Sequence, residues 1–345
     1  MTQPELVSQL AKESLSPAKR QGRTSQIRLT PRQRLGFYLM VAALHLLSLL
    51  SDSVLERLGQ LGALLVHRFD RRHVKVGLKN LEIAFPELTP QARARILRDS
   101  YLNLGRSAAE YIRLAGFFHR RLLKRVSYEN LALWEQVRQR YPGRGLLVLT
   151  AHFGNFELLP AAHAMHGFQI SLVHHTQRFA AGDALMTFVR ERAGVEIIRK
   201  HAAARAVLRA LQQGEMVGIP FDQNAKRSEA VFVPFFGELA ATSSGLARLV
   251  RMAQVPIAPV FILRNPDGRT HRIVIGEELA VVRTADAEAD IVENTRRFVA
   301  AIEDIVRRYP EQFLWIHRRF RTRPAGAPRI YEETGSRARG AERAA

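Results

Sequence analysis

Leu146-Leu147-Val148-Leu149-Thr150-Ala151-His152-Phe153-Gly154-Asn155-Phe156-Glu157 carries the reading of the fold. Its first five residues are apolar or β-branched and follow Pro142-Gly143, the pattern of a short buried strand opened by a turn. Gly154-Asn155 then breaks the strand, and Asn155 is placed to N-cap a helix running through Leu158 and Leu159. In a continuous helix, residues five apart lie about 140° apart around the axis, so His152 and Glu157 would not face each other. With a turn between them they can converge. An imidazole beside a carboxylate holds one tautomer and gains basicity at its other nitrogen, the arrangement of a general base. His-x4-Glu is a short pattern that chance also supplies. Its position carries more weight, because ligands in open α/β sheets bind beyond the carboxyl ends of strands. The adjoining helix N-terminus at Gly154 and Asn155 offers N–H donors to an anion or a developing oxyanion.

Outward from this stretch, apolar runs at 146–150, 168–173, 195–198, 216–220, 256–263 and 273–276 read as strands. Helical periodicity falls between most of them, at Asp183–Ala193, Ala202–Gln212 and Thr242–Ala253. A long closing helix places Phe298, Ile302 and Ile305 on one face. Such alternation predicts an α/β fold with a central, mostly parallel sheet flanked by helices. Upstream, Glu82 to Leu114 is helical in pattern, with Thr89-Pro90 as an N-cap and first-turn pair.

The 345-residue chain has a formal charge of +20 and is 47% hydrophobic, which calls for a negatively charged partner: nucleic acid, an anionic membrane or an acidic protein. No docking motif that interleaves basic and aromatic residues is present, which argues against nucleic acid. The chain has no cysteine, so disulfides, thiolate metal sites and a cysteinyl acyl-enzyme are excluded. The pairs His174/His175 and His163/His166 lack the acids of a metal site and read as solvated or core histidines. No metal or other cofactor is expected.

Residues 1–30 and 323–345 are basic and without apolar period, and are expected to be disordered arms. Leu35 to Leu50 is largely apolar and flanked by Arg32 and Arg34, but it is short for a span and contains His45. Leu58 to Val66 follows and ends in a basic run. Three readings stay open for 31–66: an interfacial anchor on an anionic leaflet, one shallow span, or a pair of buried core helices. Residues 67–322 form the remaining domain.

Two further segments look chemical. Asp222 ends the strand Met216–Pro220 within Phe221-Asp222-Gln223-Asn224, so it sits at a strand terminus as His152 does. It is either a turn aspartate or a member of the same rim. Phe232, Phe235 and Phe236 surround Pro234 and form an apolar wall, suited to core packing or to housing an acyl chain.

The segments TAHFGNFE (150–157), PFDQN (220–224), the block 232–261, WIHRRFRTRP (315–324) and the helical block 76–110 together resemble the late acyltransferases of lipid A biosynthesis, the lauroyl and myristoyl transferases of Gram-negative bacteria. The resemblance runs from about Arg34 to Pro324. It implies a glycerolipid-acyltransferase-like fold with membrane-associated N-terminal helices, at the cytoplasmic face of the inner membrane. It implies transfer of a fatty acyl group from acyl carrier protein to a hydroxyl of a lipid A precursor, with His152 as base, Glu157 as the acid that orients it, and Asp222 in the second acidic motif. The family often carries Arg-Pro and then Asp-Asn-Pro after the second strand. Here the chain reads His174-His175-Thr176-Gln177-Arg178-Phe179, and Arg178 is the candidate substitute. The same chemistry on a glycolipid, lysophospholipid or aminolipid is the nearest alternative, and a non-catalytic basic adaptor the more distant one.

Overall fold

The computed structural model describes residues 27–117, 121–122, 124–199 and 203–331. Most of the arm expected over 1–30, and the end of the tail, 332–345, lie outside the described residues.

The central strand is β2 (Leu146–Thr150), buried along its whole length. Alternation of side chains divides it between two cores: Leu147 and Leu149 enter one apolar cluster, and Leu146 and Val148 the other. A strand buried on both faces needs helices on both faces, which is what the unbroken apolar run predicts. The other strands are β1 (Val126–Glu129), β3 (Ile170–His174), β4 (Glu196–Arg199), β5 (Met216–Pro220), β6 (Ala230–Phe235), β7 (Glu238–Ser243), β8 (Ile257–Arg264) and β9 (His271–Ile275). Seven of them make one sheet in the order β1-β9-β8-β2-β5-β3-β4, with every pairing parallel except β8 with β9. β6 and β7 form a separate antiparallel hairpin. The expected α/β class with a mostly parallel sheet is the observed one.

The helices are α1 (Pro31–Leu47), α2 (Asp52–Phe69), α3 (Arg71–Ala84), α4 (Pro90–Ala115), α5 (Leu131–Arg140), α6 (Leu158–Met165), α7 (Ala180–Arg192), α8 (Ala203–Gln212), α9 (Gly245–Ala253) and α10 (Ala287–Arg308). Phe298, Ile302 and Ile305 of α10 are all buried in the first core, as their spacing requires. The helical pattern expected from Glu82 to Leu114 divides in two. α3 ends at Ala84, and α4 starts afresh with Thr89 accepting from the Ala92 N–H and Pro90 in the first turn. The helix expected from Thr242 starts only at Gly245, because the backbone of Glu238–Ser243 is engaged in the β6–β7 ladder. That hairpin turns through Phe236 at φ +52° and Gly237 at φ +78°. A non-glycine residue is uncommon there. Phe236 is held by packing of its ring against Phe85 and Trp315, and by its N–H bonded to Glu303 at 2.6 Å.

Neither α1 nor α2 is a core helix. α1 has no buried residue and α2 buries only Leu55. Leu35, Leu39 and Leu46 of α1 and Leu58, Leu61 and Leu65 of α2 are each more than half exposed. Among the described residues, no helix is long and apolar enough to cross a membrane. α2 lies close against α4 where Gly59 meets Gly105; a Cβ on either would overlap the other's carbonyl oxygen. At the other end of the chain, residues 323–331 pack rather than trail away. Tyr331 Oη accepts from the Phe320 N–H at 3.1 Å, and Ile330 and Tyr331 lie against the first core.

Candidate active site

β2 and β5 are parallel neighbours in the register Thr150↔Pro220, and the Phe221 N–H donates to the Thr150 carbonyl at 2.9 Å. The two residues following each strand therefore leave the sheet side by side. This brings Asp222 to His152. The His152 backbone N–H donates to Asp222 Oδ1 at 3.2 Å, and His152 Nδ1 lies 2.9 Å from the same oxygen. Asp222 is ionised and accepts only, so Nδ1 carries the proton and Nε2 is the basic nitrogen. The His152 side chain keeps 22% of its surface exposed, whereas the Asp222 side chain keeps 1%. Burial pulls the His152 pKa down, but the charges of Asp222 and Glu157 overcome it, and the net shift is upward from 6.5. Burial likewise pushes Asp222 up, and the contact with His152 reverses this, leaving its carboxyl below the usual range. Gln223 Nε2 stands 3.3 Å from His152 Nε2, and the Phe156 ring meets the imidazole edge-on at 4.9 Å between centroids.

The loop after His152 is fixed from beneath. The His152 carbonyl accepts from the Leu314 N–H at 3.1 Å, and the Gly154 N–H donates to the Gln312 carbonyl at 2.8 Å. Gly154 has φ +57°, and a Cβ there would overlap the Ile262 carbonyl oxygen, so both conformation and space demand glycine. Asn155 is buried. Its Oδ1 accepts from the Leu158 N–H at 3.1 Å, although the residue at the N-cap of α6 is Glu157 rather than the expected Asn155, and its Nδ2 donates to Glu110 Oε2 at 2.7 Å. Arg264 and His271 also bond to Glu110, at 2.8 Å and 3.0 Å. Burial alone would raise that carboxyl, and these two partners hold it at about 2. The structure thus places Gly154 and Asn155 in the support of the loop, with the Gly154 N–H committed to Gln312.

Glu157 is not hydrogen-bonded to His152. Both of its oxygens face Arg190 of α7, with Nε to Oε2 at 2.9 Å and Nη2 to Oε1 at 2.6 Å. This fork-to-fork pair is largely buried, with side-chain exposures of 9% and 14%. Burial favours loss of the Arg190 charge, but Glu157 more than restores it, and the Arg190 pKa is raised. Arg190 Nη1 reaches His174 Nδ1 at 2.8 Å, and His174 Nε2 reaches Asp183 Oδ1 at 2.7 Å. Arg178, the candidate from sequence, is exposed just before α7. The guanidinium that the structure sets beside Glu157 is Arg190.

Behind Asp222, a small cavity of about 10 Å³ is lined by Asp222, Phe235, Phe236, His317 and Arg319 among others. Burial lowers His317 to about 4, and its Nε2 accepts from the Asn224 N–H at 3.0 Å. Arg319 donates to the Ala241 carbonyl at 2.9 Å and to Thr242 Oγ1 at 2.6 Å. Phe235 and Phe236 are buried, in tilted ring contacts with Phe313, Phe320 and Trp315, while Phe232 is half-buried with the Arg227 guanidinium over its ring. Among the described residues, no group of three or more His, Asp or Glu side chains is arranged to hold a metal ion. His163 is a core histidine hydrogen-bonded to Tyr128 at 3.0 Å.

Residues 23–322 match the family described as bacterial lipid A biosynthesis acyltransferase. The chain belongs to this family. Every site residue named above falls inside the matched range. The chain is 29% identical over 296 residues to a lipid A biosynthesis lauroyltransferase of Escherichia coli K12, covering 85% of this chain and 94% of that protein. It is 28% identical over 275 residues to the palmitoleoyltransferase of the same strain, covering 76% and 83%. It is 26% identical over 301 residues to the myristoyltransferase, covering 86% and 90%. The resemblance drawn from sequence blocks therefore holds across most of the chain.

Arg190, His174, Asp183 and Glu110 were not singled out as site residues from sequence. A signal was present for the first. Asp183, Thr187 and Arg190 recur at four- and three-residue spacing along α7, on positions that are buried. A polar stripe on the inward face of a helix marks a buried polar network.

Proposed function

We propose that this acyltransferase moves a fatty acyl group from acyl carrier protein to a hydroxyl of a lipid A precursor, with His152 as general base. The observation that carries this reading is the His152–Asp222 contact. It leaves an imidazole nitrogen unprotonated and reachable at the end of a parallel strand, within a chain of this family. The acceptor hydroxyl loses its proton to His152 Nε2 as its oxygen bonds to the thioester carbonyl carbon. The carbonyl oxygen gains negative charge, and Arg190 supplies the nearby fixed positive charge that stabilises it. As the intermediate collapses, the C–S bond breaks, and the proton held by His152 passes to the departing thiolate. Glu157 works from across Arg190, anchoring the guanidinium and adding negative potential that favours the imidazolium. The direct hydrogen bond to the ring belongs to Asp222. No side chain becomes acylated, so donor and acceptor meet in a ternary complex.

Half-buried Phe232 is the proposed boundary of the acyl chain, with Phe235 and Phe236 packed in the core. The exposed leucines of α1 and α2, with Arg32, Arg34, Arg68, Arg71 and Arg72 nearby, suit an interfacial attachment to an anionic leaflet. This supports a location at the cytoplasmic face of the inner membrane, where the excess of arginine also suits an acidic carrier protein.

The test is a comparison of acceptors. Purified protein is given labelled acyl–acyl carrier protein with a tetra-acylated lipid A precursor, a lysophospholipid or a simple glycolipid. Preferential acylation of the lipid A precursor supports the reading. Transfer to one of the others alone keeps the chemistry and overturns the acceptor.

A further inference from the structure

His174, at the carboxyl end of β3, sits between two ion pairs and has one hydrogen-bonding state open to it. Arg190 Nη1 can only donate, so His174 Nδ1, 2.8 Å away, must be the accepting nitrogen without a proton. Nε2 is then the N–H and donates to Asp183 Oδ1 at 2.7 Å. Asp183 is itself pinned by the Gln177 backbone N–H at 2.8 Å and by Arg199 at 2.7 Å. His174 and Asp183 are both buried. The ring is therefore neutral, in a single tautomer, and it is the third anchor of Arg190 after the two oxygens of Glu157.

We propose that His174 is a positioning residue: as the neutral Nε2–H imidazole it fixes the Arg190 guanidinium against Glu157, within electrostatic reach of His152, and its protonation dismantles that arrangement. Protonation would put an Nδ1–H opposite the Arg190 N–H, two cationic donors at hydrogen-bond distance with no acceptor between them. The charged groups facing His174 are Arg190 and Asp183 from α7 and Arg199 from β4, with Glu157 beyond Arg190 and the Tyr111 hydroxyl of α4 acting on the guanidinium. Burial and the two arginines outweigh Asp183, so His174 is held below 6.5 while His152 is held above it. As acid is added, His152 protonates first and His174 second.

This inference rests on His152 being the base, and its test separates the two claims. In full-length protein labelled with ¹⁵N-histidine, the imidazole shifts of His174 at neutral pH are expected to show the Nε2–H tautomer. An Nδ1–H or mixed pattern overturns the proposal whether or not any transfer is seen. The kinetic arm uses His174→Asn, which keeps an acceptor near the Nδ1 position, and His174→Phe, which does not. The phenylalanine variant is expected to lose about 100-fold in kcat with little change in KM, as misplacement of one charged group does. The asparagine variant should stay close to the wild-type rate. In wild type, log(kcat/KM) should steepen from a one-proton to a two-proton slope as pH falls across the range of about 5 to 8 where histidines titrate. In His174→Asn it should keep the one-proton slope throughout. A wild-type rate in a folded His174→Phe, or a one-proton slope in wild type across the whole limb, overturns the proposal. Loss of transfer in His174→Asn equal to that in His174→Phe does so too.

Discussion

His152 Nδ1 is hydrogen-bonded to Asp222 at 2.9 Å, seventy residues away in the chain, because parallel β2 and β5 end in register. Glu157, only five residues from His152, spends both carboxylate oxygens on Arg190. The site is therefore built on two pairs, His152 with Asp222 and Arg190 with Glu157, and the charges of the second pair act on His152.

Replacement of Asp222 by Asn should separate these roles. The side chain keeps its shape but loses the charge that selects the Nε2-basic tautomer and raises the imidazole. Turnover is expected to fall by about 10³- to 10⁴-fold, with the remaining acid limb moved to lower pH. A pH–rate profile checks both. An unchanged limb would show that Asp222 does not set the basicity of His152.

The pH dependence has a definite sign. As the proposed base, His152 acts only when neutral, and its pKa is raised above 6.5, so activity should climb with pH through that raised value and then level off. Stability runs the other way. A histidine raised on folding stabilises fully below its unfolded pKa, and that contribution is lost as pH rises through the folded one. Thermal unfolding of wild type and His152→Ala should therefore differ more at mildly acidic than at alkaline pH.

Arg190→Met removes the partner of a largely buried carboxylate. Breaking such a pair costs about 3–5 kcal/mol, because the remaining charge is left uncompensated. The double variant Arg190→Met/Glu157→Gln should recover much of the loss in stability but not the activity. Urea unfolding and transfer assays on the same samples distinguish the two effects.

Gly154→Ala would force a Cβ into the Ile262 carbonyl at a positive φ. The loop carrying His152 must move, and a displacement of about 1 Å at a catalytic group costs about 100-fold in rate. Activity should fall by at least that much with Asp222 and Glu157 intact, and a kcat near wild type would show that the loop tolerates the side chain.

The exposed leucines provide a test of attachment to the membrane. Changing Leu39, Leu46, Leu58 and Leu61 to Ser removes apolar side chains that are each more than half exposed. A fully buried leucine contributes about 1.5–3 kcal/mol. Even partial insertion predicts a loss of more than tenfold in partitioning to anionic vesicles, read by co-sedimentation. Unchanged binding would move the attachment to another face.

The sheet was legible because each of its central strands is an apolar run of five or so residues between turn signals, a local pattern. β1 was not, since Val126–Glu129 alternates over only four residues, and the β6–β7 hairpin hid because its turn uses Phe236 where Gly or Asn is usual. In the site, His152, Glu157 and Asp222 stood out from their places at strand ends and helix starts. Their pairing did not, because it depends on the register of strands far apart in sequence. Arg190 escaped for the same reason: its partner is fixed by how α7 packs, and the attractive sequence neighbour, Arg178, lies exposed.

The most direct measurement is the rate of acyl transfer from labelled acyl carrier protein to a tetra-acylated lipid A precursor by wild type and by His152→Ala, with folding of both confirmed. Product from wild type, and its loss by three or more orders of magnitude in the variant, is the expected result, about what removing a general base together with its positioning costs. A folded His152→Ala enzyme that still turns over at a near-normal rate would contradict the assignment of the base and the mechanism built on it.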